Sequence, residues 1–223
     1  MLGGVGNSPQ QDRRGHLGAE HREGGIPGGK PAERVSPLES AEVPGGSVVD
    51  LRAYVRDVPD FPKPGIVFKD LTPIWKDPEA FRSMVERLTE PYRAAQVEVV
   101  AGIESRGLIL GAALAYALGT GLVPVRKEGK LPWNTVKASY SLEYGQATTE
   151  LHSDAFRPGS RVLIVDDLLA TGGTAEAAVQ LVRKLEGKIV GLAFLVELGF
   201  LRGRQRLEKL GVEVFSLIQY EKP

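Results

Sequence analysis

Two adjacent carboxylates, Asp166 and Asp167, follow the apolar run VLIV (162–165) and precede a loop of small residues, Ala170, Thr171, Gly172, Gly173 and Thr174. Side by side where a buried strand ends, two carboxylates repel each other and lose hydration, so they need a hydroxyl-rich or cationic partner. The loop after them runs into a helix. Its two glycines let backbone N–H groups converge, and a helix N-terminus adds partial positive charge. Together these make an anion cradle, most naturally for a phosphate. Acids for a polyol plus a nest for a phosphate describe a sugar phosphate site. No lysine follows the glycines, so the loop is not a Walker loop, and there is no G-x-G-x-x-G fingerprint. Taken alone, the same residues also describe a tight strand-to-helix turn with Asp167 as a solvated cap.

Other residues could serve the same chemistry. ESRG (104–107) puts Arg106 at a helix start, where its charge opposes the helix dipole unless an anion is near. RKEGKLP (126–132) clusters Arg126, Lys127 and Lys130, a solvated basic loop on its own and a neutralising clamp beside a phosphate. WNTVKASYSLEYGQ (133–146) reads as an exposed, mobile hairpin carrying Glu143 and Tyr144. Phe68, in PGIVFKD (64–70), is either a core aromatic or a stacking platform.

Several classes are excluded. There is no cysteine, hence no disulfide, thiolate nucleophile or cysteine-ligated zinc. The three histidines, His16, His21 and His152, do not make a catalytic triad or a multi-histidine metal site. Lys plus Arg and Asp plus Glu both number 28, so no global charge points to nucleic acid or a membrane. No apolar run approaches the roughly 20 residues of a membrane span.

The elements that must position these residues follow from periodicity. SVVDLRAYVRDV has helical spacing at Val48, Leu51, Tyr54, Val55 and Val58, with Ser47 as N-cap. Residues 60–74, with three prolines and a glycine, read as extended and turn-rich. A helix opens at Asp77-Pro78, VEVVAGI (97–103) is a strand, and a helix from Arg106 closes at Gly119. Strands at 121–126 and 162–165, a helix to Gly187, a buried strand at 188–198, a helix near 203–210 and a last strand complete the pattern. Strands alternating with helices predict an α/β fold, a parallel sheet flanked by helices, with ligands beyond the carboxyl ends of the strands. The first 47 residues differ: 16 are Gly or Pro and large apolar residues are scarce, so this segment is expected to be a disordered tail. The organised domain is expected over 48–223.

VLIVDDLLATGGT resembles the phosphoribosyl-pyrophosphate motif of the type I phosphoribosyltransferases. With FPKPGIVFKDLTPI (61–74), GIESRGLILG (102–111), VPVRKEGKLP (123–132), ASYSLEYG (138–145) and LVEL (195–198), the chain from about Val48 to Tyr220 is similar to the adenine phosphoribosyltransferase family. That likeness implies a small N-terminal hood, about 59–75, and a flexible lid loop. It implies purine salvage: adenine and 5-phosphoribosyl-1-pyrophosphate give AMP and pyrophosphate, with Mg2+ held mainly by substrate and water, in a cytoplasmic homodimer. Ala170, Thr171, Gly172, Gly173 and Thr174 would hold the 5-phosphate, and Asp166 and Asp167 the ribose hydroxyls. Ser105 and Arg106 would serve the pyrophosphate, with a cis peptide possible before Ser105. Arg126, Lys127 and Lys130 would neutralise it, one of them across the dimer interface. Glu143 would address the purine imidazole edge, with Tyr144 nearby. Phe68 would stack on adenine, Val67 and Lys69 would pair with it through backbone groups, and Leu168 would touch its other face. The family often has arginine at Lys69, which leaves any side-chain role there open. Two rivals remain: an enzyme for another base, disfavoured by the FPKPGIVFKD hood, and a regulator that senses the sugar phosphate, disfavoured by a tail of five basic and six acidic residues.

Overall fold

The computed structural model describes residues 49–142 and 145–222. The expected tail of 1–47, and the expectations for Glu143 and Tyr144, lie outside these residues.

The chain enters through a 3-10 turn, Leu51–Tyr54, capped by the Asp50 carboxylate, which accepts from Arg52 N at 3.1 Å. Strand β1 (Arg56–Pro59) follows and pairs antiparallel with β2 (Val67–Asp70). This corrects the helix expected from Ser47 onwards. Pairing with a segment 14 residues away, including an Arg56–Asp70 ion pair, overrides the local helical spacing. Helix α1 (Thr72–Lys76) begins inside the stretch read as extended, and α2 (Pro78–Thr89) begins where Asp77 caps it by accepting from Glu79 and Ala80 N.

The remaining strands form one seven-stranded sheet, in the order β5-β6-β4-β3-β7-β8-β9. These are β3 (Val99–Ile103), β4 (Gly121–Lys127), β5 (Thr135–Leu142), β6 (Gly145–His152), β7 (Arg161–Leu169), β8 (Lys188–Leu198) and β9 (Val214–Tyr220). Five are parallel, and the β5–β6 hairpin joins β4 antiparallel at one edge. Helices α1, α2 and α3 (Gly107–Leu118) cover one face, packing Ile74, Met84, Leu88 and Leu110 against Val100, Leu163 and Val165. Helices α4 (Gly173–Lys184) and α5 (Gly203–Glu208) cover the other, where Val179, Leu181 and Leu207 meet Ala101, Val162 and Ile164. Alternate strand residues thus feed opposite cores, which is why β3 and β7 read as continuous apolar runs.

Strand β7 runs further than expected. It continues beside β8 to Leu169, whereas its pairing with β3 stops at Val165. The Asp166 and Asp167 carboxylates therefore lie in a strand that has outrun one neighbour. The first turn of α3 occupies that side at very close range. A Cβ on Gly107 would fall 2.6 Å from Asp166 Oδ1 and 2.8 Å from Val165 O, so only glycine lets helix and strand approach this way.

Candidate active site

A cleft of about 250 Å³ opens at the carboxyl ends of β3, β4 and β7. Ser105, Arg106, Arg126, Lys127, Asp166, Asp167, Leu168 and Thr174 line it, all of them sequence candidates. A smaller recess beside it, lined by Asp166, residues 168–175 and Phe194, holds the glycine loop. The two share Asp166, Leu168 and Thr174, so the acidic pair joins loop to cleft.

The loop has the geometry of an anion site. Gly172 adopts φ 79° as the N-cap of α4, and no side chain caps that helix, so its first N–H groups have no side-chain acceptor. The loop rests on α5. A Cβ on Gly203 would meet Ala170 O at 2.2 Å, and one on Gly172 would meet Gly203 O at 3.0 Å.

The acidic pair is electrostatically loaded. Burial, and then the Asp167 charge, push the Asp166 carboxyl well above its usual range. Burial also raises Asp167, while the Arg106 guanidinium pulls it down. Arg106 Nε lies 2.7 Å from Asp167 Oδ2, yet that buried oxygen gains no aligned hydrogen bond. Asp167 is thus the anion that a positive charge at the start of α3 required. The same guanidinium sits 5.0 Å from the centre of the Phe68 ring, and Phe68 meets Phe61 edge-on at 5.2 Å. Arg106 therefore links the hood to the acidic pair.

The basic residues separate. Arg126 gives Nε and Nη2 to Glu104 at 3.2 and 3.3 Å and Nη1 to Lys130 O at 3.2 Å, so its guanidinium is already engaged. Lys127 faces the cleft, whereas Lys130 is exposed and absent from the cleft lining. The three do not form one clamp within a single chain. The Glu104–Ser105 peptide is cis.

Lys69 is turned away. Its ammonium is buried, donates to Asp57 Oδ1 at 2.8 Å and lies 4.5 Å from the centre of the Tyr220 ring. Strand alternation sends Phe68 and Lys69 to opposite sides of β2, so Lys69 has only its backbone to offer a ligand on the Phe68 side. Val67 is 40% exposed beside it.

Four residues that line or shape the site carried no signal of their own. Glu104 organises the basic turn. Tyr140 packs on the loop, 3.0 Å from where a Gly173 Cβ would be. Thr149 lines the cleft with a buried hydroxyl that has no partner among the described residues. Gly203 backs the glycine loop. Strand alternation from Ala138 would have found Tyr140; the others depend on which strands are neighbours.

With this geometry in view, a family model described as a phosphoribosyl transferase domain matches residues 76–221. The adenine phosphoribosyltransferase of Solibacter usitatus is 57% identical over 173 residues, 78% of this chain and 99% of the relative. The crystal structure of adenine phosphoribosyltransferase from Rhodothermus marinus superposes with a TM-score of 0.73 at 54% identity, covering 76% of this chain and 96% of that one. The Saccharomyces cerevisiae enzyme, complexed with an imino-altritol bisphosphate and adenine, gives 0.71 at 42% identity, covering 76% and 97%. The chain belongs to the adenine phosphoribosyltransferase family.

Proposed function

We propose that the cleft transfers the 5-phosphoribosyl group from 5-phosphoribosyl-1-pyrophosphate to adenine, giving AMP and pyrophosphate in purine salvage. The observation that carries this is the convergence of an acidic pair, a glycine loop at a helix N-terminus and a basic turn on one cleft, with an aromatic ring reached through Arg106. The yeast relative, which holds adenine and a bisphosphate sugar analogue, supports the reading.

Residues 170–174 bind the 5-phosphate through backbone N–H groups and the Thr171 and Thr174 hydroxyls. Asp166 and Asp167 accept from the ribose hydroxyls, and these hydrogen bonds offset the desolvation that raises their pKa. Lys127 and Arg106 face the pyrophosphate, whose bond to ribose C1 breaks as a purine nitrogen bonds to that carbon. Phe68 stacks on the base, the backbone of Val67 and Lys69 reads its exocyclic amine, and Leu168 supports the other face. Glu143, with Tyr144, addresses the purine imidazole edge, from which a proton leaves as the new bond forms. Among the described residues no cluster of three or more metal-ligating side chains occurs, and the hard carboxylate oxygens of Asp166 and Asp167 fit Mg2+ held through water and substrate oxygens. Bound there, Mg2+ would supply charge neutralisation of the leaving pyrophosphate.

Two further assignments belong to this reading. The functional unit is a homodimer, supported by exposed apolar residues on α3 and by Lys130 lying outside its own cleft. The compartment is the cytoplasm, fitting a substrate too highly charged to cross a membrane. Among the described residues no helix is long and apolar enough to span one. Pyrophosphate release measured with adenine, hypoxanthine and guanine tests the function. Release with adenine alone is expected; equal release with a 6-oxopurine would overturn the base assignment.

A further inference from the structure

The turn that carries Lys127 is pinned at both ends by carboxylates. Glu104 Oε2 accepts from Lys127 N at 2.9 Å. At the other end, Glu150 Oε1 accepts from Lys130 N and Leu131 N, both at 2.9 Å, and its Oε2 accepts from Thr135 Oγ1 at 3.3 Å. Glu150 is only 2% exposed. Burying a carboxylate is costly unless donors surround it, and here the donors are the closing residues of the basic turn and the start of the hairpin. These bonds keep the carboxyl below its usual range although burial works the other way.

The ladder holds this turn only at its first residues. Strand β4 pairs with β6 only at Arg126 and Lys127, and the chain then reverses through Gly129 at φ 80°. Beyond Lys127, the turn is held by Glu128 N donating to Thr148 O, by Lys130 N donating to Lys127 O, by Arg126 Nη1 donating to Lys130 O, by the Lys137–Glu128 ion pair, and by Glu150, the only one of these that fixes both Lys130 N and Leu131 N. A lysine ammonium on a flexible stem is aimed only as well as its backbone is fixed.

We infer that Glu150 is a positioning residue for the pyrophosphate end of the sugar substrate: by holding residues 130 and 131 from the hairpin stem, it fixes the turn that presents Lys127 to the cleft. This rests on the proposed placement of the pyrophosphate. Glu150 lines no part of the cleft itself. The ribose 5-phosphate half of the substrate is held by other elements, the β7 carboxylates and the loop before α4. The consequence is therefore selective.

The test compares Glu150→Ala and Glu150→Gln with the unaltered protein, using pyrophosphate, ribose 5-phosphate and adenine as separate probes. In Glu150→Ala the inhibition constant of pyrophosphate should rise about tenfold, equivalent to roughly 1.4 kcal/mol, with ribose 5-phosphate affinity and the KM for adenine changed less than about twofold. Glu150→Gln keeps a carbonyl that can accept from residues 130 and 131, so it should recover most of the pyrophosphate affinity. Equal losses for all three probes, or a lower Tm with pyrophosphate affinity intact, would reduce Glu150 to a fold residue and overturn the inference. If Glu150→Ala does not fold, Thr135→Val replaces it, with a smaller loss confined to pyrophosphate expected and an even loss overturning. Failure of the unaltered protein to bind pyrophosphate in competition with the sugar substrate would overturn the function reading, and this inference with it.

Discussion

Phe68 and Lys69 are neighbours with opposite surroundings. Phe68 turns its ring to Arg106, and Lys69 buries its ammonium between Asp57 and Tyr220. If Phe68 is the purine platform, Phe68→Ala should remove stacking worth about 1–3 kcal/mol per base. Catalytic efficiency toward adenine should fall about 5- to 150-fold, with much less change in affinity for phosphoribosyl pyrophosphate. Asp166→Asn should do the reverse. A carboxyl whose folded-state pKa is raised costs the folded protein stability once pH exceeds the unfolded value, so removing that charge should raise Tm at neutral pH while weakening the sugar phosphate. Separate binding titrations with melting curves check both variants. Unchanged adenine kinetics in folded Phe68→Ala would make Phe68 a core residue.

At the scale of elements, the site exists because β7 outruns β3 and because two glycines remove side chains from the seams. Gly107 lets α3 press on the exposed end of β7, and Gly203 lets α5 press on the loop before α4. Gly203→Ala should be costly because its Cβ would meet backbone, Ala170 O at 2.2 Å, which no rotamer change can relieve. Overpacking of this kind costs about 1–3 kcal/mol. The strain falls on the loop proposed to hold the 5-phosphate, so ribose 5-phosphate affinity, measured calorimetrically, should drop by about tenfold or more, with adenine stacking spared. Full ribose 5-phosphate affinity in a folded Gly203→Ala protein would show that the loop does not depend on its support from α5.

For the whole molecule, Ile109 and Tyr116 on α3, 45% and 72% exposed, and Leu122 at the start of β4, 37% exposed, leave apolar side chains uncovered. A second copy of the chain is the partner that this reading favours. Sedimentation should give about twice 24.1 kDa. The paired change Ile109→Glu and Tyr116→Glu should shift the protein to monomer and lower activity with it. An active monomer at working concentration would remove the homodimer and the reach of a basic residue across its interface.

The sequence by itself determined the strand-loop-helix at 162–174, the helix stop at Gly119, the Asp77 cap, the alternation that makes an α/β sheet and the family resemblance. Each rests on neighbours within a few residues: a φ only glycine tolerates, a carboxylate reaching its own helix N-terminus, an apolar run too short for anything but a buried strand. The tertiary structure alone decided that residues 56–59 are a strand rather than a helix, that Lys69 is buried away from Phe68, that Arg126 pairs with Glu104, and that Gly203 supports the loop before α4. Those outcomes depend on partners from 8 to 151 positions away in the chain. No local period encodes which distant backbone or charge arrives there, because that is set by the order of the strands in the sheet.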